Sequence, residues 1–373
     1  MLDNHGCPLG DDLLGLVELL RWQGDAPIFT DLRDSFDALL ENLFASPAFA
    51  DAVGASTVSG VSQLSDRARL EFLRAPQVVA QIVRWRRHRM GLDAGFFAEM
   101  VLAELAHAGL VQDLPVAVWR ARGDTKISWS KGSKNVETTP WLLDGEIAID
   151  DKSFQMFPYD GNEQKLLLPL NDPGSQKVRR MLAGSFYTLA DVSSPAAEFV
   201  RMFLRQISIR FEPGAPTAFN TSSFSQYIGL ALLVNPHIDD VDKMNLIEGL
   251  VHESIHSMLY MLEAVTGPSV LVSPQKMPMI QSPWTGMTLN LSSFVHACVV
   301  WYGVFWLWNN LMNAKAFPQH RCQLFRERAL TGFKRAPLAE FLAHRSVVSK
   351  PVLELLEAIS ATDWGERISL GRV

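Results

Sequence analysis

The stretch Val251-His252-Glu253-Ser254-Ile255-His256 decides how this chain is read, because two imidazoles four residues apart on a helix face the same way and can share one metal ion. The residues around it signal such a helix. Asp239, Asp240 and Asp242 precede Met244-Asn245-Leu246 as N-cap and first-turn acids, and Thr266-Gly267-Pro268 supplies the glycine and proline that stop a helix. The expected element runs for roughly twenty residues with the motif at its centre. Gly249, one turn before His252 beside Glu248, costs about 1 kcal/mol against alanine in a helix interior, so it points to room for a ligand or to close helix packing. An amphipathic helix with two accidental histidines is the plain alternative. A histidine, a glutamate and a histidine falling together on a capped helix favour the metal.

Two histidines need a third ligand. The extended form H-E-x-x-H-x-x-G-x-x-H is absent, since Leu259 and Leu262 occupy its glycine and histidine positions. A glutamate from a later helix is also missing, because no Asp or Glu occurs from Ala264 through Arg326. Glu263 follows His256 by seven residues, roughly 10 Å further along the helix axis, too far to close the site easily. That leaves His296 and His320. His296 stands near the start of an apolar helix capped by Ser292 or Ser293, from which a side chain can reach a neighbouring helix. His320 follows the turn-like Asn313-Ala314-Lys315-Ala316-Phe317-Pro318 and reads as a surface residue. His296 is therefore the expected third ligand; its plain alternative is a buried histidine bonded to a backbone carbonyl.

Three histidines suit a zinc hydrolase with an open fourth position, in which Glu253 is the catalytic general base that activates water. They equally suit iron, with positions left for substrate and oxygen. Composition does not separate the two.

The segment from about Ser222 to Trp308 resembles the HExxH motif domain family found among the modification enzymes of ribosomally made peptides. Three ordered stretches carry the likeness: Leu250-Val251-His252-Glu253-Ser254-Ile255-His256-Ser257, Ser282-Pro283-Trp284-Thr285-Gly286, and Phe294-Val295-His296-Ala297-Cys298-Val299-Val300-Trp301-Tyr302-Gly303. The resemblance implies a peptide β-hydroxylase in which His252, His256 and His296 bind Fe(II), with 2-oxoglutarate as chelating cosubstrate. Relatives often carry an arginine just after the Pro-x-x-Gly segment, where this chain has Met287-Thr288-Leu289. The cosubstrate carboxylate then looks to Arg210, Arg326 or Arg328, arginine being the natural fork for it.

The 373 residues are 48% hydrophobic and 20% charged, as in a soluble globular protein with ample core. Thirty-four basic against forty acidic residues give a net charge of −6, which argues against nucleic acid as a partner. The start, Met1-Leu2-Asp3-Asn4-His5, lacks the regions of a signal peptide, and Cys7, Cys298 and Cys322 are too few and too scattered for a disulfide framework. A reducing cytoplasm is expected. The apolar run from Phe294 to Trp308 is about fifteen residues, short for a membrane span, and reads as a core helix.

Periodicity along the chain predicts an α+β fold, mainly helical, with the HExxH helix packed on a small β-sheet. Residues 1–114 form a helical N-terminal region, with apolar helical spacing at 13–20, 36–40 and 97–102 and a cap at Ser65-Asp66. The basic cluster Arg84-Trp85-Arg86-Arg87-His88-Arg89, ended by Gly91, reads as a solvated last turn more than as a grip on an acidic peptide. Residues 115–212 are mixed, with short strands at 116–119, 126–130 and 146–150. Residues 213–373 form the metal-binding catalytic region. A strand pair supports the site, 206–211 and 226–234, the second apolar on both faces and therefore buried. Gly229 and Ala231 leave one of its faces shallow, as packing room or as an approach for an extended substrate. From Arg321 the chain is helical, with Pro337 and Pro351 as breaks.

Overall fold

The computed structural model describes residues 13–24, 27–88, 92–111, 117–121, 125–130, 133–138, 141–142, 146–153, 167–334 and 343–362. Met1 to His5, Cys7, Arg89, Gly91, Val116 and Pro337 lie outside them. The fold is α+β and mainly helical. The chain forms two compact units, each drawn from separated stretches: Met1–Leu32, Thr188–Phe199 and Met261–Val373 in one, Arg33–Tyr187 and Val200–Tyr260 in the other.

The larger unit begins as helices. Ser65 caps the helix Asp66–Leu73 by accepting from the Ala68 amide, as its sequence suggests. Phe49 packs edge-on against Trp85 and Phe97, with ring centroids 5.2 and 5.6 Å away, so aromatic side chains from three helices lock together. The basic cluster departs from expectation. Trp85 is buried, and Arg84 donates to Gln226 Oε1 at 2.7 Å and to the Tyr227 hydroxyl at 3.2 Å. Its guanidinium also lies 5.6 Å over the Tyr227 ring, so stacking and directed bonds outweigh solvation at that position.

Two sheets follow. Strands β1 (Val118–Trp119), β2 (Thr125–Ser130) and β3 (Ser133–Thr138) form an antiparallel ribbon. Strands β4 (Trp141–Leu142), β5 (Ile147–Asp150), β6 (Gln206–Arg210), β7 (Asn220–Ser222) and β8 (Leu230–Val234) form a mixed sheet in the order β4-β5-β6-β8-β7. β5, β6 and β8 run parallel, and every residue of these three is buried. Parallel central strands covered on both faces need such continuous burial, which is why β8 reads Leu-Ala-Leu-Leu-Val without alternation. The expected strand pair is thus real, but its members are parallel, and antiparallel β7 lies beyond β8 at the sheet edge. Gly229 stands outside β8, at φ 91°, and its carbonyl accepts from the Arg205 and Gln206 amides at 2.8 and 3.1 Å. It turns the chain into the strand and opens no shallow face.

The motif helix, Lys243–Thr266, follows β8. Asp242 caps it, its Oδ1 accepting from the amides of Met244 at 3.0 Å and Asn245 at 3.3 Å. Gly267 ends it at φ 103°, donating to the Glu263 carbonyl at 3.0 Å. Leu246, Ile247, Leu250, Val251, Ile255 and Met258 are fully buried on one side, which leaves the histidines on another.

In the smaller unit, β9 (Met279–Gln281) and β10 (Thr288–Asn290) form a hairpin leading into the helix Leu291–Asn313. The cap of that helix is Asn290, whose side chain accepts from the Ser293 amide at 2.9 Å, and neither Ser292 nor Ser293 serves. One residue closes the strand and caps the helix at once. Among the described residues this helix alone is long and apolar enough to cross a membrane, and 78% of its apolar window is buried inside the protein. Helices Gln319–Lys334 and Lys350–Ser360 pack against it. Cys298 and Cys322 are buried and free, and burial pushes the Cys298 thiol far above its ordinary value.

Candidate functional site

Helical spacing sets His252, His256 and Tyr260 one above another along the motif helix. All three are half-buried, on a helix whose opposite side is closed by core residues. The two imidazole centroids lie 5.1 Å apart, and the Tyr260 ring stacks on His256 at 6.0 Å with an interplanar angle of 18°. The pair expected from sequence is therefore together, one turn apart and half-buried.

Glu253 points elsewhere. It is 1% exposed, and its Oε1 accepts from the Thr221 hydroxyl of β7 at 2.5 Å. Its Oε2 has no partner among the described residues, although the Ser223 hydroxyl approaches without completing a bond. Burial pushes the carboxyl up to about 7, against the pull of the Thr221 and Ser223 hydroxyls. Gly249 explains how the strand comes so close. A Cβ there would lie 2.8 Å from Thr221 Cγ2, so the glycine provides close packing, and of its two expected uses this is the one the fold realises.

A stability prediction follows from the carboxyl. Unfolded Glu253 titrates at 4.5 and folded Glu253 at about 7, so folding favours the protonated form. The penalty is absent below the unfolded value, grows through the window between the two, and is complete above the folded one, at about 3 kcal/mol. Urea unfolding of metal-free protein should give a stability that falls across this window. Glu253→Gln removes that component, and a variant whose pH dependence matches the parent would show that the carboxyl is not held as described.

Arg210 is not available to a ligand. It is wholly buried and donates from Nη2 to Asp150 Oδ2 at 2.6 Å and to the Ser153 carbonyl at 2.7 Å, and from Nη1 to the carbonyls of Asp150 and Ile209 at 2.7 and 2.8 Å. Asp150 also accepts from the Ser153 amide at 2.8 Å and from the Ser208 hydroxyl at 3.2 Å. This arginine ties β6 to the end of β5. Its expected role at a cosubstrate carboxylate gives way to a buried ion pair that holds the sheet.

In the smaller unit, His296 is 2% exposed and its Nε2 lies 3.3 Å from Glu263 Oε1. Burial raises the Glu263 carboxyl, but His296 and Ser269 outweigh it, so the carboxyl stands below its ordinary value. Ser282-Pro283-Trp284-Thr285-Gly286 forms the hairpin turn, with Gly286 at φ 73° donating to the Ser282 carbonyl at 2.8 Å. Trp284 donates to the Ala329 carbonyl at 2.7 Å and stacks on Trp301 at 6.1 Å. Arg326 lies 5.0 Å over Phe305, and Arg328 lies 5.5 Å over Trp301. His320 is exposed, as its turn-like surroundings suggest.

The structure thus groups His252 with His256, and His296 with Glu263. Among the described residues no cluster of three or more His, Cys, Asp or Glu side chains is placed to hold a metal ion. Thr221 and Glu263 are the partners that sequence reasoning missed. Thr221 gave no signal, lying in a polar run too short to read as a strand; Glu263 gave one, since it continues the histidine face of the helix. No protein-family model matches this chain, and no curated protein matches it.

Proposed function

We propose that this chain is an Fe(II)- and 2-oxoglutarate-dependent oxygenase that hydroxylates a β-carbon of a residue in a peptide, acting in the cytoplasm. The observation that carries the reading is the division of labour within the motif: two half-exposed imidazoles on one face, and a glutamate turned away into a buried bond with β7. An oxygenase needs the histidines and not a water-activating base. Two imidazoles suit iron that keeps its remaining positions for oxygen ligands, so the donor pair fits. When bound, iron with 2-oxoglutarate and oxygen supplies the oxidation that replaces a C–H hydrogen by hydroxyl, giving succinate and carbon dioxide.

The chain's own residues divide the remaining work. His252 and His256 hold the ion, while His296, the third ligand that the resemblance implies, has its Nε2 on Glu263. Glu253 fastens the motif helix to β7. As an edge strand, β7 carries outward backbone groups that can pair with an extended peptide, which supports a peptide substrate. Arg210 is committed to Asp150 and does not serve the cosubstrate carboxylate.

A zinc peptidase is the second reading. It is favoured by a Glu253 carboxyl near 7 with one unpartnered oxygen, since a general base works best when its pKa lies near the working pH. Anaerobically purified protein, analysed for metal and then given oxygen, 2-oxoglutarate and peptide, separates them. The oxygenase releases succinate, and the peptide gains the mass of one oxygen atom. Glu253→Gln should retain iron and part of this turnover. Anaerobic zinc-dependent peptide cleavage that Glu253→Gln abolishes would replace the oxygenase by the peptidase.

A further inference from the structure

Thr221 is keyed into the motif helix at two points. Its methyl fills the place where a side chain at Gly249 would stand, and its hydroxyl donates to Glu253, one turn on. One β7 residue therefore touches helix positions i and i+4. The register of β7 on β8, with Thr221 opposite Leu233, sets the height of that residue along the helix.

We propose that Thr221 is a positioning residue that draws the Glu253 carboxylate onto β7 and keeps it from joining His252 and His256 as a metal ligand. The proposal rests on the metal reading above. Glu253 directly follows His252, about 100° around the helix, within a side-chain rotation of an ion held at the imidazoles. Two imidazoles and a carboxylate are the common facial set for iron, so a loose Glu253 would complete it and take a position meant for another ligand. With Glu253 ionised, the tie to Thr221 is charge-assisted and buried, where such bonds are strong. Oε2 of Glu253, buried and approached among the described residues by the Ser223 hydroxyl without a completed bond, is the oxygen left to turn toward a cation once the tie is cut.

Two substitutions separate the hydroxyl from the methyl. Thr221→Val keeps the notch at Gly249 filled and removes the donor; Thr221→Ser keeps the donor and empties the notch. The test titrates Co(II) into metal-free protein and reads its visible absorption, which reports the ligand set without turnover. Thr221→Val is expected to bind Co(II) on the order of 10-fold more tightly, with an altered spectrum. Thr221→Ser keeps the parent spectrum, and Thr221→Val combined with Glu253→Gln returns to it. That return excludes mere distortion of the fold, which a second substitution would not repair. Parent protein that binds Co(II) while Thr221→Val matches it in affinity and spectrum overturns the positioning role alone, as does a double variant that keeps the altered spectrum. Parent protein that takes up no Co(II) overturns the metal reading, and this proposal with it.

Discussion

Alanine at His252 or His256 should lower metal affinity by at least ~100-fold and remove turnover, while leaving the fold intact. A change next to a metal ligand costs 10- to 100-fold, and loss of a ligand costs more. Both side chains are half-buried on the open side of a helix whose core side stays closed, so truncation creates no core cavity. Metal content after dialysis against a weak chelator, with circular dichroism as the check on folding, reads the result. Retention of full metal by either variant would remove that histidine from the site. His296→Ala belongs in the same series, because full metal content in that variant would assign His296 to its Glu263 contact alone.

The second large effect is on stability. Asp150→Ala leaves the Arg210 guanidinium buried without its countercharge, at a cost of about 3–5 kcal/mol. Lost bonds from the Ser153 amide and the Ser208 hydroxyl add to it. The urea midpoint should drop accordingly, or the protein should fail to accumulate in soluble form. Replacing both partners, by Asp150→Leu with Arg210→Met, should recover the part due to the unpaired charge and not the part due to the Ser153 and Ser208 donors, which still lack their acceptor. A single variant that loses less than about 1 kcal/mol would mean that water reaches the guanidinium.

The parts of this fold that could be read in advance are those whose signals are local. The motif helix announced itself by Asp242 before it, Gly267 after it and an apolar stripe along it, β6 by the alternation Gln206-Ile207-Ser208-Ile209-Arg210, and β8 by an unbroken apolar run. What escaped depends on partners far along the chain. β7 is three polar residues that become a strand only by pairing with β8, so Thr221 carried no sign of its contact with Glu253. Arg210 looked like a free cation because Asp150, sixty residues earlier, is its partner only once β5 and β6 are neighbours. The cap of the His296 helix is Asn290 in place of a serine because β10 runs up to that residue and the helix starts directly after it.

The burial of the Leu291–Asn313 helix has a consequence for how the protein is made. Its covering helices, Gln319–Lys334 and Lys350–Ser360, leave the ribosome after it. At 5–20 residues per second, this apolar helix waits a few seconds without the two helices that pack on it. For that interval the nascent chain offers chaperones and aggregation the same surface that the finished protein conceals. Any stop codon before the last of those helices makes the exposure permanent.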